Sequence, residues 1–589
     1  MTLNHVINIG LDEDHLKSLI LKDKEPSGMY SGKYPVRFIL LDNFESMRKI
    51  VELLRKNGAQ LLDLSNLKIF QYDDGWIGLS DVQDEIAKLP DDKDYMIAPM
   101  SEILRFLDST RFYSFITTLT EITNNARCPE RRIYIPIVGL CSYFQEYFLA
   151  KYHRASEFSF VWKVGTNYER YDILFFDSTV DVENYTVIRT TKEFLDLWKQ
   201  SNLTNSILVT QELLYSFSSK MINDEVFNVT TVRNYKEFIE RILKIDVPID
   251  YLEADKSLWK MLQDMLHGAK SFPEFVKKYL NIMDLDDFDK ANPLSMWLSK
   301  DEEFARWIMK GYYSNIEKRC YTKLVFSSLQ NLSSDELLRG YYLKIFDEVN
   351  EDLFFNERIE ILQKSSEIHD IDLSNIEVQL EQRFANMAPQ NAAKYITGTT
   401  LFEKKWVIDN IDCIDENELG EIYRELFHYL TDVKYDNLKS DNEWVIEYFK
   451  EYRMSRVKNS LSQRLNEILD EKNASENTIY KWYYSFDPVD HYLKSEDSNI
   501  YSKIWIDALG VEFLPLILSY LEEQGFSTKF NIARCNLPST TEFNRFEGVE
   551  RIAELDDFIH EQYSYVYPDN LIKEIDIVIN IVNRFIKNK

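Results

Sequence analysis

Across residues 34–215 the chain alternates short runs of β-branched and aromatic residues with stretches that are apolar at every third or fourth position. That alternation predicts βαβ units around a mainly parallel sheet. The run VRFILLD leads into FESMRKIVELLRKNG, whose Met47, Ile50, Leu53 and Leu54 share one helical face before Gly58 stops the helix. DYMIAPM, RRIYIPIVGL, YDILFFDS, NYTVIRT and SILVT read as further strands, and TTKEFLDLW opens a helix with a capping box from Thr190 to Glu193. Residues 1–33 precede this α/β domain as an N-terminal extension.

Over residues 216–495 only the helical spacing persists, as in SDELLRGYYLKIFDEVNEDLFFNERIEILQK and DNEWVIEYFKEYRMSRVKNSLSQRLNEILDEK. No constant period runs through it, so it reads as a helical domain and not a repeat solenoid. The polar stretch SFDPVDHYLKSEDSN (485–499), with Pro488, reads as a linker. Beyond it, residues 496–589 return to the α/β pattern. IYSKIWID reads as a buried strand and VEFLPLILSYLEEQG as a helix, with Phe513, Leu514, Ile517, Leu518 and Leu521 at core spacing. Pro515 falls in its first turn, where a missing N–H costs little. TKFNIARCN predicts a second strand that feeds LPSTTEFNRF. The closing DNLIKEIDIVINIVNRFIKNK is amphipathic, with Leu571, Ile575, Val578, Val582 and Phe585 on one face.

Length and composition bound the function. With 589 residues the chain exceeds a single hydrophobic core, so three or four domains are expected. A formal charge of −29 disfavours direct binding to phosphate backbones, so any nucleic-acid role runs through a partner. The arginines of NARCPERRIY (Arg127, Arg131, Arg132) read as a solvated edge. Five scattered cysteines without a CxxC pair indicate reduced thiols. The N-terminus lacks a signal-peptide pattern, and FLPLILSYL is far shorter than the roughly 20 apolar residues that span a bilayer. A cytoplasmic protein without a membrane segment is expected.

Candidate chemistry is sparse. Neither GxxxxGK[ST] nor GxGxxG occurs, so the N-terminal domain lacks a phosphate loop. Asp42 and Asp177 stand at strand ends, where helix capping is the commoner role. The eight histidines form no HExxH. Near the C-terminus, by contrast, the Asp507-Ala508-Leu509-Gly510 turn delivers a carboxylate to the C-terminal edge of a sheet, and Thr540 or Thr541 is expected at a neighbouring strand end. A divalent cation held partly by Asp507 would lower the pKa of such a hydroxyl and neutralise phosphate charge.

A strand ending in Asp-x-x-Gly before a helix, followed by Pro-Ser-x-Thr, resembles the opening of the alkaline phosphatase superfamily. IWIDALGVEFLPLIL with LPSTT resembles its PglZ branch, found in BREX phage-defence systems. RRIYIPIVGLCSYFQEYF and the helical middle are similar to the N-terminal region of PglZ proteins of type 4 BREX. The resemblance implies that Asp507 binds metal and Thr541 is the nucleophile, with Thr540 at the variable position beside Ser539. The later Asp and His, the Asp-His pair and the final His that complete the superfamily's metal site have no counterpart, and His560 reads as a surface or packing residue. The C-terminal segment therefore resembles an incomplete phosphatase-like domain, as expected of a shortened chain, a split gene or a degenerate homologue. A divalent metal, zinc by resemblance, is expected only if the site is completed.

Three functions fit. One is a BREX component of PglZ type, acting through contacts with the other BREX proteins and carrying an incomplete phosphohydrolase site. Another is a metal-dependent phosphatase or phosphodiesterase completed by another chain or in a homo-oligomer. The last is an unrelated acidic helical scaffold. The first two require Asp507 and Thr541 to meet at adjacent ends of parallel strands.

Overall fold

The computed structural model describes residues 6–587, apart from 25–34, 68–74, 123–130, 149–160, 165–168, 177–185, 211–213, 216–219, 267, 286–290, 350, 367–370, 434, 436–437, 475–478, 494–502, 547 and 562–565. It is α/β in its N-terminal part and mostly helical beyond, and it divides into two compact units, Met1–Phe272 and Pro273–Lys589. Among the described residues, no helix is long and apolar enough to cross a membrane.

The first unit holds two parallel sheets. Strands β1 (Val6–Ile9), β2 (Val36–Leu41), β3 (Gln60–Asp63), β4 (Tyr95–Ala98), β5 (Ile133–Val138) and β6 (Val161–Val164) assemble in the order β1-β6-β2-β5-β4-β3. The extension expected at 1–33 is thus part of the sheet, since Val6 to Ile9 pair with Val161 to Val164. Every residue of β2 and β5 is buried, as parallel strands covered on both faces require. Pro136 is tolerated within β5 because of backbone alternation. The N–H groups of Ile133 and Gly139 point to β2, so the nitrogen of Pro136 faces β4, whose pairing ends at Met96↔Tyr134.

The second sheet orders β7 (Tyr171–Phe176), β8 (Thr186–Ile188), β9 (Ser206–Val209) and β10 (Phe227–Val232) as β10-β7-β9-β8. Because β10 pairs along the whole of β7, the α/β part continues past residue 215. The capping box appears with a one-residue shift: Thr190 Oγ1 accepts from the Glu193 N–H at 3.1 Å, while Glu193 Oε2 accepts from the Arg189 N–H at 2.7 Å.

Helix α1 (Phe44–Lys56) buries Met47, Ile50, Leu53 and Leu54 and ends at Gly58, whose φ of +92° suits glycine. Asn43 caps it by accepting from the Ser46 N–H at 2.7 Å, and the buried Asp42 accepts from Ser46 Oγ, also at 2.7 Å. Asp42 thus supports the first turn through the Ser46 hydroxyl, while Asn43 is the cap; Asp177 lies outside the described residues. Arg131 and Arg132 are not a solvated edge. They are 8% and 0% exposed, and Arg132 Nε donates to Asp23 at 2.7 Å while Arg131 pairs with Asp91. Asp23 also accepts from Arg37, so two guanidiniums share one carboxylate at the N-terminal ends of the strands. Arg127 lies outside the described residues.

The second unit holds helices α2 (Trp444–Val457), α3 (Gln463–Ala474), α4 (Leu514–Glu523) and α5 (Asp569–Lys587) and a two-stranded parallel ladder, β11 (Ile504–Ile506) with β12 (Glu550–Ile552). Only Ile552 of the ladder is buried, so IYSKIWID is not the buried strand expected. Helix α5 buries Leu571, Ile575, Val578 and Val582 as its periodicity predicts. TKFNIARCN does not form the expected strand: it is extended, and its one bridge joins Arg534 to Pro488. The same bridge ties down the first part of the expected linker, because Val489 N donates to Arg534 O and Arg534 N to Asp487 O at 3.1 and 2.9 Å. Residues 494–499 of that linker lie outside the described residues.

Two outcomes follow from this packing. The ladder has three residue pairs and no third strand among the described residues, so amides of 504–506 and 550–552 should exchange hydrogen much faster than those of 571–582. Ile575→Ala should cost about 3 kcal/mol in urea unfolding, the cost of a cavity at a fully buried site. In the first unit, the side chains of Asp42 and Asn43 already occupy the start of α1, and Asp42 places a carboxyl group there. Calorimetric titration with ATP and magnesium should therefore give no binding heat.

Candidate functional site

The turn after β11 explains the Asp-x-x-Gly spacing. Asp507 continues the ladder, its N–H donating to Ile552 O at 2.9 Å, and this holds its side chain at the edge of the two strands. Ala508 then takes a left-handed φ of +63°, and Leu509 N closes the turn on Ile506 O at 3.3 Å. At Gly510 the Glu512 side chain folds back over the backbone, its Oε2 2.0 Å from where a Cβ would stand. Val511–Phe513 make a short 3-10 turn, and α4 follows with Pro515 buried in its first turn.

Asp507 is 6% exposed, and its carboxylate is surrounded by donors. Oδ1 accepts from the Ala508 N–H at 3.1 Å. Oδ2 accepts from Thr541 Oγ1 at 3.1 Å and from Arg551 Nε at 2.7 Å, with Arg551 Nη2 at 2.5 Å. The hydrogen bond to Asp507 and the charge behind it raise the Arg551 pKa. Arg551 reaches on to Asp556 at 3.4 Å, and Asp556 pairs with His560 at 3.3 Å on an exposed face.

Thr541 is not at a strand end as expected; it sits in a loop that a buried asparagine ties together. Asn544 Oδ1 accepts from Asn536 N at 2.7 Å, and Asn544 Nδ2 donates to Asn536 O and Thr540 O at 3.1 and 3.0 Å. That staple directs Thr541 inward while Thr540 remains exposed. Sequence reasoning missed Asn544 and Arg551. A lone Asn in TTEFN has no periodicity to mark it, and Arg551 lies in a strand of three residues, below the length at which alternation is legible.

The residues at this edge do not fit a divalent cation. The oxygen of Asp507 that would face a metal is already covered by a guanidinium, and among the described residues no three His, Cys, Asp or Glu side chains converge. His560 is 78% exposed in its side chain and bonds to Asp556, not to Asp507. What the arrangement can do is fix a hydroxyl: Thr541 Oγ1 is at hydrogen-bond distance from a carboxylate oxygen that Arg551 also occupies.

Thr541→Val should lower stability by about 1 kcal/mol, the worth of a hydrogen bond to a partly buried carboxylate. A double-mutant cycle with Asp507→Asn should return a coupling of about 1 kcal/mol. Additive effects would mean that the two side chains do not interact in solution.

The chain matches no protein-family model, and no curated protein or solved structure matches it. The chemistry of the site therefore rests on its own geometry.

Proposed function

We propose that this chain is a cytoplasmic component of a bacterial anti-phage defence system of BREX type, a PglZ-like protein that acts through contacts with the other proteins of that system. Its phosphohydrolase-like site is incomplete. The observation that carries this reading is the 3.1 Å hydrogen bond from Thr541 Oγ1 to Asp507 Oδ2. The two residues that the resemblance names as nucleophile and metal ligand are 34 positions apart and are hydrogen-bonded, although Thr541 reaches Asp507 from a loop and not from the end of an adjacent parallel strand. Arg551, seated against Asp507 where a cation would be needed, favours binding over turnover. The acidic balance makes nucleic acid a partner's ligand and not this chain's.

A second reading is favoured by the β11–β12 ladder, which has two strands and an unpaired outer edge on each among the described residues. Another chain, or a second copy of this one, could add strands there and bring the missing ligands, with zinc the ion that the resemblance implies. The two readings differ in activity. The purified chain should stay at background with aryl phosphate and phosphodiester substrates when zinc or manganese is added. Turnover lost in Thr541→Ala would establish the completed site instead.

Defence itself is tested in the host. Deleting the gene should raise the efficiency of phage plating, and a Thr541→Ala chain should restore protection. Unchanged plating after deletion would falsify the defence reading.

A further inference from the structure

Helix α2 turns an aromatic face away from its core. Trp444, Tyr448 and Tyr452 follow one another at four-residue spacing, and all three are half-buried. Trp482 meets Trp444 edge-on at 5.4 Å, Tyr448 meets it at 5.9 Å, and Tyr452 stacks on Tyr448 at 6.0 Å. Together with Val511, Glu512 and the segment Ile532 to Arg534, these rings line a cleft of 460 Å³, within the usual size range of ligand sites.

The cleft has the chemistry of a cation site. Aromatic faces attract cations through their quadrupoles, and Trp444 already meets one outside the cleft lining: Lys472 Nζ lies 5.2 Å from its ring centre. Glu512 supplies a carboxylate whose nearest guanidinium, Arg456, is 3.5 Å away and bonded more closely to Glu574. Two carboxylates thus share one guanidinium, and burial raises the Glu512 pKa, a penalty that an incoming cation relieves. The other cation at the rim, Arg534, is turned outward: its guanidinium lies over the Tyr484 ring at 4.6 Å and its Nε donates to Phe486 O.

The cleft also runs on. A second, narrower hollow lined by Lys439, Asn442 and Asp487 shares Phe486 and Ile532 with it, so the surface is a groove fitted to a chain. Its lining carries two carboxylates, Glu512 and Asp487, beside two cations, Arg534 and Lys439, and the chain as a whole, at −29, favours encounter with basic partners. We propose that this groove binds an extended basic segment of a partner protein, with one arginine or lysine side chain inserted between the Trp444–Trp482 pair and the Glu512 carboxylate.

The test titrates the full chain, labelled with ¹⁵N at tryptophan indoles, with the probe acetyl-Gly-Ser-Arg-Gly-Ser-amide and with its citrulline counterpart, a neutral isostere. The arginine peptide should shift the Trp444 and Trp482 indole signals saturably. Citrulline should weaken binding about tenfold, as should Glu512→Gln, and Trp482→Leu should weaken it similarly. If Trp482→Leu fails to fold, Tyr452→Leu serves the same purpose. Equal binding of the two peptides, unchanged affinity in Glu512→Gln, or no saturable shift would overturn the proposal. Butylguanidinium binding as tightly as the peptide would also overturn it, making the occupant a small organic cation.

Discussion

Parallel strands set the terms for both units, because they are stable only when both faces are covered and their edges are paired or shielded. In the first unit that condition is met by number. Six strands in one sheet and four in the other leave β2, β5 and β7 interior, with cores of Val, Ile and Phe on either side. In the second unit β11 and β12 pair only with each other among the described residues, and of their six residues only Ile552 is buried. Phe513, Leu516, Ile575 and Val578 are buried in the same unit.

Charge follows the same logic of enclosure. An ionised carboxylate taken out of water needs compensation close by, and each one at a strand end here has it. Asp23 holds Arg37 and Arg132. Asp224, fully buried, pairs with Arg105 and accepts the N–H groups of Leu140, Val226 and Phe227 at 2.7 to 2.9 Å. Asp507 is compensated by Arg551 in the same way. A guanidinium is the partner this chain uses repeatedly for aspartates with little solvent contact.

VRFILLD, RRIYIPIVGL and YDILFFDS became β2, β5 and β7, and α1 and α5 bury the faces their spacing marks. Short strands were legible where the run is apolar and β-branched, as in β4, β8, β9 and β11, whereas β1, β3, β6 and β12 and the six-residue, partly polar β10 escaped, since their pairing depends on partners remote in sequence. TKFNIARCN failed in the opposite sense, having strand composition but no neighbour to pair with beyond Pro488. The arginine pair Arg131 and Arg132 looked solvated because its acidic partners, Asp91 and Asp23, are 40 and 109 residues away. At the candidate site, Asp507 and Thr541 were legible as motif residues, whereas Arg551 and Asn544, which decide what those residues can do, carry no local signature.

One turn serves two chemistries in the second unit. The segment that places Asp507 against Thr541 and Arg551 continues through Gly510 to Glu512, whose carboxylate folds back over the glycine and faces the aromatic cleft. The cleft's other wall, Ile532 to Arg534, leads within two residues to Asn536, which is bonded to the Asn544 staple of the Thr541 loop. Both strands of connection between cleft and site are therefore short and hydrogen-bonded. Cleft and site are thus neighbours along the chain at two places, Asp507 to Glu512 and Ile532 to Asn536.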